Sequence, residues 1–156
     1  MSRMGRDYPA LAGRLVASGP RAARMQRVVD VLWEALKPTG VSWVGFYLPE
    51  RGQEGGTQLV LGPRRDKPAC SPIGLHGACG RCYLSRQAVL VRDVRELGEN
   101  YIACDPRDQS EVVVPCLEPS GDCWGVLDLD SHDVGSFDAL DVAGLTLVLQ
   151  AAGLTR

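Results

Sequence analysis

"SEVVVPCLEPSGDCWGVLDLDS", residues 110–131, decides the fold. Two runs rich in β-branched and aromatic residues, 110–118 and 123–131, flank "PSGD", a cluster of turn formers, so the stretch reads as an antiparallel hairpin. Side chains alternate faces along a strand. Leu127 and Leu129 therefore share one face, while Asp128 and Asp130 share the other with Trp124 and Val126. The turn has either four residues between Glu118 and Cys123 or two between Pro119 and Asp122. Both lengths give the same register and set Glu111 opposite Asp130.

The hairpin thus gathers Glu111, Asp128 and Asp130 on one face, with the two aspartates about 6–7 Å apart. A wet sheet face would tolerate this. Three carboxylates held this closely also repel one another, which raises at least one pKa and keeps a protonated acid near neutral pH. Alternatively the trio binds a cationic group such as a substrate ammonium.

Working outward, residues 20–37 read as a helix: Pro20 can start it, Val28, Val29, Leu32, Trp33 and Leu36 form a helical stripe, and Pro38 and Gly40 stop it. Residues 41–50 and 58–63 read as strands of a second hairpin. Residues 64–76 are irregular, 77–87 a short helix entered through glycines, 88–94 a short strand, and 95–109 a loop. Residues 136–153 read as a helix with Ser136 as N-cap and a glycine at its end. This order predicts an α+β fold, a mainly antiparallel sheet flanked by helices, with 1–19 an N-terminal helical extension.

The 156 residues suit one domain over 1–156. A net charge of −2 offers no basic excess for nucleic acid or an anionic membrane. No run approaches the roughly 18 apolar residues of a membrane span, and Arg14 interrupts any apolar leader. The expectation is an untargeted cytoplasmic protein.

Six cysteines, Cys70, Cys79, Cys82, Cys104, Cys116 and Cys123, all fall between residues 70 and 123. In a reducing compartment, clustered cysteines point to redox work or metal binding more than to permanent staples. Cys104 and Cys70 lie in polar or irregular segments rather than core strands. Cys79 opens a helix, where the dipole favours a thiolate. Cys79 and Cys82 form "CGRC", but no second Cys-x-x-Cys pair completes a zinc set, so no metal is expected. Cys116 and Cys123 read as core or edge cysteines, and His76 and His132 as surface residues without partners.

The succession "LVLGP…PAC", "ACG", "VRDV", "YIACD", "SEVVVP" and "GVLDLDS" resembles the free methionine-(R)-sulfoxide reductases, a family of stand-alone GAF domains, from about Trp43 to Leu149. The resemblance implies a GAF fold: a central antiparallel sheet of about six strands with helices on both sides, commonly as a homodimer. It implies thiol-dependent reduction of the free amino acid's R-sulfoxide, with Cys104 as nucleophile, Cys70 resolving its sulfenic acid as a disulfide, and Cys79 assisting. Glu111, Asp128 and Asp130 fall on the family's acidic residues and Trp43 on the tryptophan that contacts the S-methyl group. Thioredoxin is the implied external reductant, with no cofactor. The alternative is a GAF module that binds a small molecule or senses it without catalysis. The two part on whether the Cα atoms of Cys70 and Cys104 come within about 7 Å.

Overall fold

The computed structural model describes residues 5–100 and 104–156; Tyr101, Ile102 and Ala103 of the YIACD motif and the first four residues lie outside it. Five strands form one antiparallel sheet: β1 (Val41–Arg51), β2 (Thr57–Arg65), β3 (Val89–Val91), β4 (Ser110–Leu117) and β5 (Cys123–Ser131). Their order is β2-β1-β5-β4-β3. The hairpin that opens the sequence reading therefore supplies the sheet's centre, with β5 between β1 and β4.

Helices cover both faces. On one side α1 (Tyr8–Ala12), α2 (Arg21–Leu36) and α4 (Ala139–Ala151) pack on Val44, Phe46, Val112, Val114, Leu127 and Leu129. On the other, α3 (Ala78–Ser85) packs against Trp43, Tyr47, Val113 and Val126. The period-two alternation of the strands separates these two cores. All five residues of the expected α2 stripe are buried. Gly40, at φ +106°, turns the chain out of the helix and into β1, a conformation glycine adopts without a Cβ penalty.

The hairpin turn differs from both expected lengths. Glu118 N–H donates to Asp122 O at 2.8 Å, and Gly121, at φ +95°, donates to Glu118 O at 2.8 Å, so the loop is Pro119-Ser120-Gly121. Such a three-residue loop, with glycine in the left-handed region, shifts the pairing by one residue. β5 recovers it with a bulge: Leu117 pairs with Cys123 and Cys116 with Gly125, leaving Trp124 as the extra residue. Beyond the bulge Glu111 pairs with Asp130 and Val113 with Asp128, the expected register. The bulge also moves Trp124 off the acidic face expected for it. It packs on the helical side, where Nε1 donates to Leu154 O at 3.1 Å and the Arg21 guanidinium sits 4.1 Å from the ring centroid.

Both ends of α4 are closed by local caps. The N-cap of α4 is Asp138 rather than Ser136, with Asp141 completing a capping box. Ser136 Oγ instead accepts from Arg6 Nη2 at 2.9 Å. At the other end Gly153, at φ +66°, lets Leu154 N–H reach Leu149 O at 2.8 Å, closing a Schellman motif. Among the described residues of the N-terminal extension, only Tyr8–Ala12 forms a helix. The segment is held by side chains: buried Arg6 pairs with buried Asp141 at 3.2 Å, and Tyr8 Oη donates to Asp141 at 2.5 Å.

Candidate active site

β1 and β5 build the floor of a pocket on the α3 side of the sheet. Trp43, Gly45 and Tyr47 alternate onto this face and pair with Asp130, Asp128 and Val126. β4 adds Glu111 beside Asp130. Gly45 is required here: a Cβ at that position would stand 2.2 Å from the Trp43 ring, so the glycine lets the indole lie across the strand. The rings of Trp43 and Tyr47, two apart on the same face, have centroids 6.1 Å apart. Their polar ends fasten the segment after β2: Trp43 Nε1 donates to Lys67 O and Tyr47 Oη to Cys70 O, both at 2.8 Å. Tyr47 was not among the candidates read from the sequence, although its position four residues after Trp43 on one strand marks it for the same face.

That segment presents Cys70, which forms a disulfide with Cys104; the Cα atoms lie 5.5 Å apart. Both cysteines are exposed. Lys67, three residues before Cys70, is ion-paired with Asp105, next to Cys104, and Arg107 pairs with the same carboxylate at 3.0 Å. These cations hold the Asp105 carboxyl well below the usual range. The charge clasp and the disulfide thus join the same two segments.

Cys79 corrects an expectation. It lies near the N-terminus of α3, but it is buried, and its thiol, a Glu111 oxygen and an Asp128 oxygen lie within 4.8 Å of one another. Burial first, then the charges of Asp128, Glu111 and Asp130, push the thiol well up. Desolvation and carboxylates outweigh one helix end, so Cys79 is a protonated thiol rather than a thiolate. Cys82 is fully buried in the same core and is likewise pushed up by burial. Cys116 is fully buried, and Cys123 packs at the edge of the second core.

The three acids line one pocket with Cys104. Burial raises all three, Asp128 and Asp130 most strongly, because each also faces the other carboxylates. Hydrogen bonds from Asp128 and Asp130 partly offset the rise at Glu111. The cluster is therefore pushed toward its protonated form, Asp128 and Asp130 more than Glu111. Among the described residues, none hydrogen-bonds the buried Asp128 Oδ1.

Asp108, on the segment between Cys104 and β4, also lines the pocket. Ser42 Oγ donates to Asp108 Oδ1 at 3.1 Å, and burial lifts Asp108 to about 6. His132 is exposed, as expected, but it is not without partners: it faces Asp108 at 3.5 Å and Asp105 at 3.6 Å. No sequence pattern marks Asp108 or His132, because the loop before β4 and the end of β5 meet only in the folded sheet. Among the described residues, two groups offer three ligand atoms in metal range: Cys79, Glu111 and Asp128, and Asp105, Asp108 and His132. In the first, a metal would have to displace protons that burial holds in place.

The pocket is partly open to solvent on the side of Cys104. Apolar Ile73, Ala78, Val94 and Leu97 wall it against the aromatic pair. A five-stranded antiparallel sheet with helices on both faces and a pocket on one of them is the architecture of a GAF domain, and the GAF domain family model matches residues 21–155. Free methionine-R-sulfoxide reductase of Escherichia coli (strain K12) is 35% identical over 144 residues, 91% of this chain and 79% of that protein. The enzyme of that name from Saccharomyces cerevisiae is 36% identical over 115 residues, 72% of this chain; the match spans 62% of the yeast protein, less than two thirds of its length. The crystal structure of free methionine-R-sulfoxide reductase from Neisseria meningitidis, in complex with its substrate, superposes with a TM-score of 0.78 at 32% identity, covering 94% of this chain and 83% of that one. The chain belongs to the free methionine-R-sulfoxide reductase family of GAF domains.

Proposed function

We propose that this chain reduces free methionine-(R)-sulfoxide to methionine. One observation carries the reading: the Cys70–Cys104 disulfide borders a pocket lined by three clustered, buried carboxyl groups. In the reduced protein, the Cys104 thiolate attacks the sulfoxide sulfur. A protonated acid of the Glu111, Asp128 and Asp130 group gives its proton to the departing oxygen. The S–S bond formed by the attack then breaks as the protonated oxygen passes from the substrate sulfur to the Cys104 sulfur, so methionine leaves and Cys104 becomes a sulfenic acid. The Cys70 thiol condenses with it, releasing water and forming the disulfide. Thioredoxin then reduces that disulfide by exchange through a mixed disulfide.

Each wall has a part in this scheme. Trp43 and Tyr47 hold the S-methyl group. An ionised carboxylate lining the pocket holds the substrate ammonium, which restricts the enzyme to the free amino acid. Cys79 donates a hydrogen bond within the acid group and assists the relay as a neutral thiol. Thiols and acids suffice for the step, with no metal or organic cofactor and with electrons from thioredoxin. The same reading takes 1–156 as a single GAF domain that works as a homodimer in the cytoplasm. Among the described residues, no helix is long and apolar enough to cross a membrane.

The 5.5 Å Cα separation of Cys70 and Cys104 favours this reading over a module that only binds its ligand, because it lets both thiols share one catalytic cycle. The test is NADPH oxidation in a mixture of the protein, free methionine-(R)-sulfoxide, thioredoxin and thioredoxin reductase. Oxidation that is lost in Cys104→Ser supports the proposal. A rate no higher than that of the variant overturns it.

A further inference from the structure

We propose that Asp108 selects substrates with a free α-ammonium, an inference that rests on the reading of the pocket as a methionine sulfoxide site. The pocket needs two different carboxylates. A proton donor must be protonated, and burial gives Asp128 and Asp130 that state. An ammonium partner must be ionised, and taking a second charge onto the coupled trio works against the repulsion that keeps it protonated. Asp108 meets the second requirement. It lines the same pocket as Cys104 and the trio, but its environment divides the load.

The geometry fixes this carboxylate in place. Ser42, the bulged residue of β1, donates to Oδ1 at 3.1 Å, and His132 Nε2 stands 3.5 Å from the same oxygen. The other charged groups around it are Asp105, itself held by Lys67 and Arg107, and, on the pocket side, Glu111 and Asp130. Asp108 is buried, so a bound ammonium meets it with little competing water. Its ionisation near 6 leaves it mostly anionic at neutral pH, while burial pushes Asp128 and Asp130 well up.

The test measures equilibrium binding in a Cys104→Ser background, where chemistry is blocked, by quenching of the tryptophan fluorescence. The probes are free methionine-(R)-sulfoxide and the analogue of the same chain that lacks the amine, 4-(methylsulfinyl)butanoate. Adding Asp108→Asn, which keeps the acceptor for Ser42, weakens the free amino acid roughly ten- to hundredfold and leaves the analogue unchanged, in line with loss of one charged hydrogen bond. Asp108→Glu restores part of the preference. An affinity ratio between the two probes that stays at its parent value overturns the inference, as does an equal loss for both, which assigns Asp108 to structure alone. If the parent reduces the sulfoxide while the ratio survives Asp108→Asn, only this inference falls. If the Cys104-containing chain neither binds nor reduces the free sulfoxide, the substrate reading falls with it.

Discussion

Cys70 and Cys104 are 34 residues apart in sequence, and their Cα atoms lie 5.5 Å apart in the fold. Two independent anchors bring the first of them there: Tyr47 Oη on the Cys70 carbonyl and Trp43 Nε1 on the Lys67 carbonyl. The aromatic floor of the pocket therefore also positions Cys70.

The two cysteines separate under single-turnover conditions. Cys104→Ser releases no methionine. Cys70→Ser releases about one methionine per chain and then stalls, because a sulfenic acid forms without a partner thiol. Trapping with dimedone followed by mass spectrometry places the adduct on Cys104. A burst in Cys104→Ser would move the nucleophile elsewhere.

Gly45→Ala tests the packing of the floor. The new Cβ meets the Trp43 ring at 2.2 Å, so the indole must leave its place and lose the hydrogen bond to Lys67. Overpacking of this kind costs about 1–3 kcal/mol in stability. Substrate affinity falls along with it, which binding measurements in the Cys104→Ser background read directly. Unchanged affinity would detach Trp43 from the substrate.

The acid group sets the pH dependence of both stability and rate. The folded-state pKa of Asp128 is raised by burial above its unfolded value of about 4. Its stabilising contribution is therefore complete below that unfolded value and is lost as pH rises toward the folded value. Asp128→Asn gains on the parent across the same window, reaching on the order of 1–3 kcal/mol on the alkaline side. Urea titrations at pH 5 and pH 9 measure the difference. The rate of sulfoxide reduction follows the protonated acids and declines in the same direction. A parent protein whose stability relative to Asp128→Asn does not fall with pH contradicts the buried protonated state.

Asp141→Ala leaves the Arg6 guanidinium buried without its carboxylate and removes the acceptor of Tyr8. Breaking a buried pair in this way costs about 3–5 kcal/mol, measured by chemical denaturation. Because the pair joins α4 to the segment before α1, proteolysis near the N-terminus accelerates before the sheet unfolds. A loss below 1 kcal/mol, the size of an exposed pair, would show that the contact is solvated.

Much of this architecture could be read locally. β-branched runs, turn formers and a helical stripe marked the elements, and period-two alternation placed Glu111, Asp128 and Asp130 on one face. Even the register survived a wrong turn length, because the bulge at Trp124 compensates the extra shift of the Gly121 loop. The same bulge defeated the face assignment of Trp124, since parity counts only while the strand is regular. Ser136 looked like a cap until Arg6 claimed its hydroxyl, a contact 130 residues distant.

The chain's own order of residues determined which acids share a sheet face, because alternation along a strand needs no knowledge of the rest of the molecule. Tertiary structure alone decided which groups hold protons and which groups meet. Cys79 stays a neutral thiol because burial and distant carboxylates overcome its place at a helix start. Asp108, Ser42 and His132 come together from three separate segments. Desolvation and Coulomb forces act through space, and distances in space are fixed only when the sheet has closed.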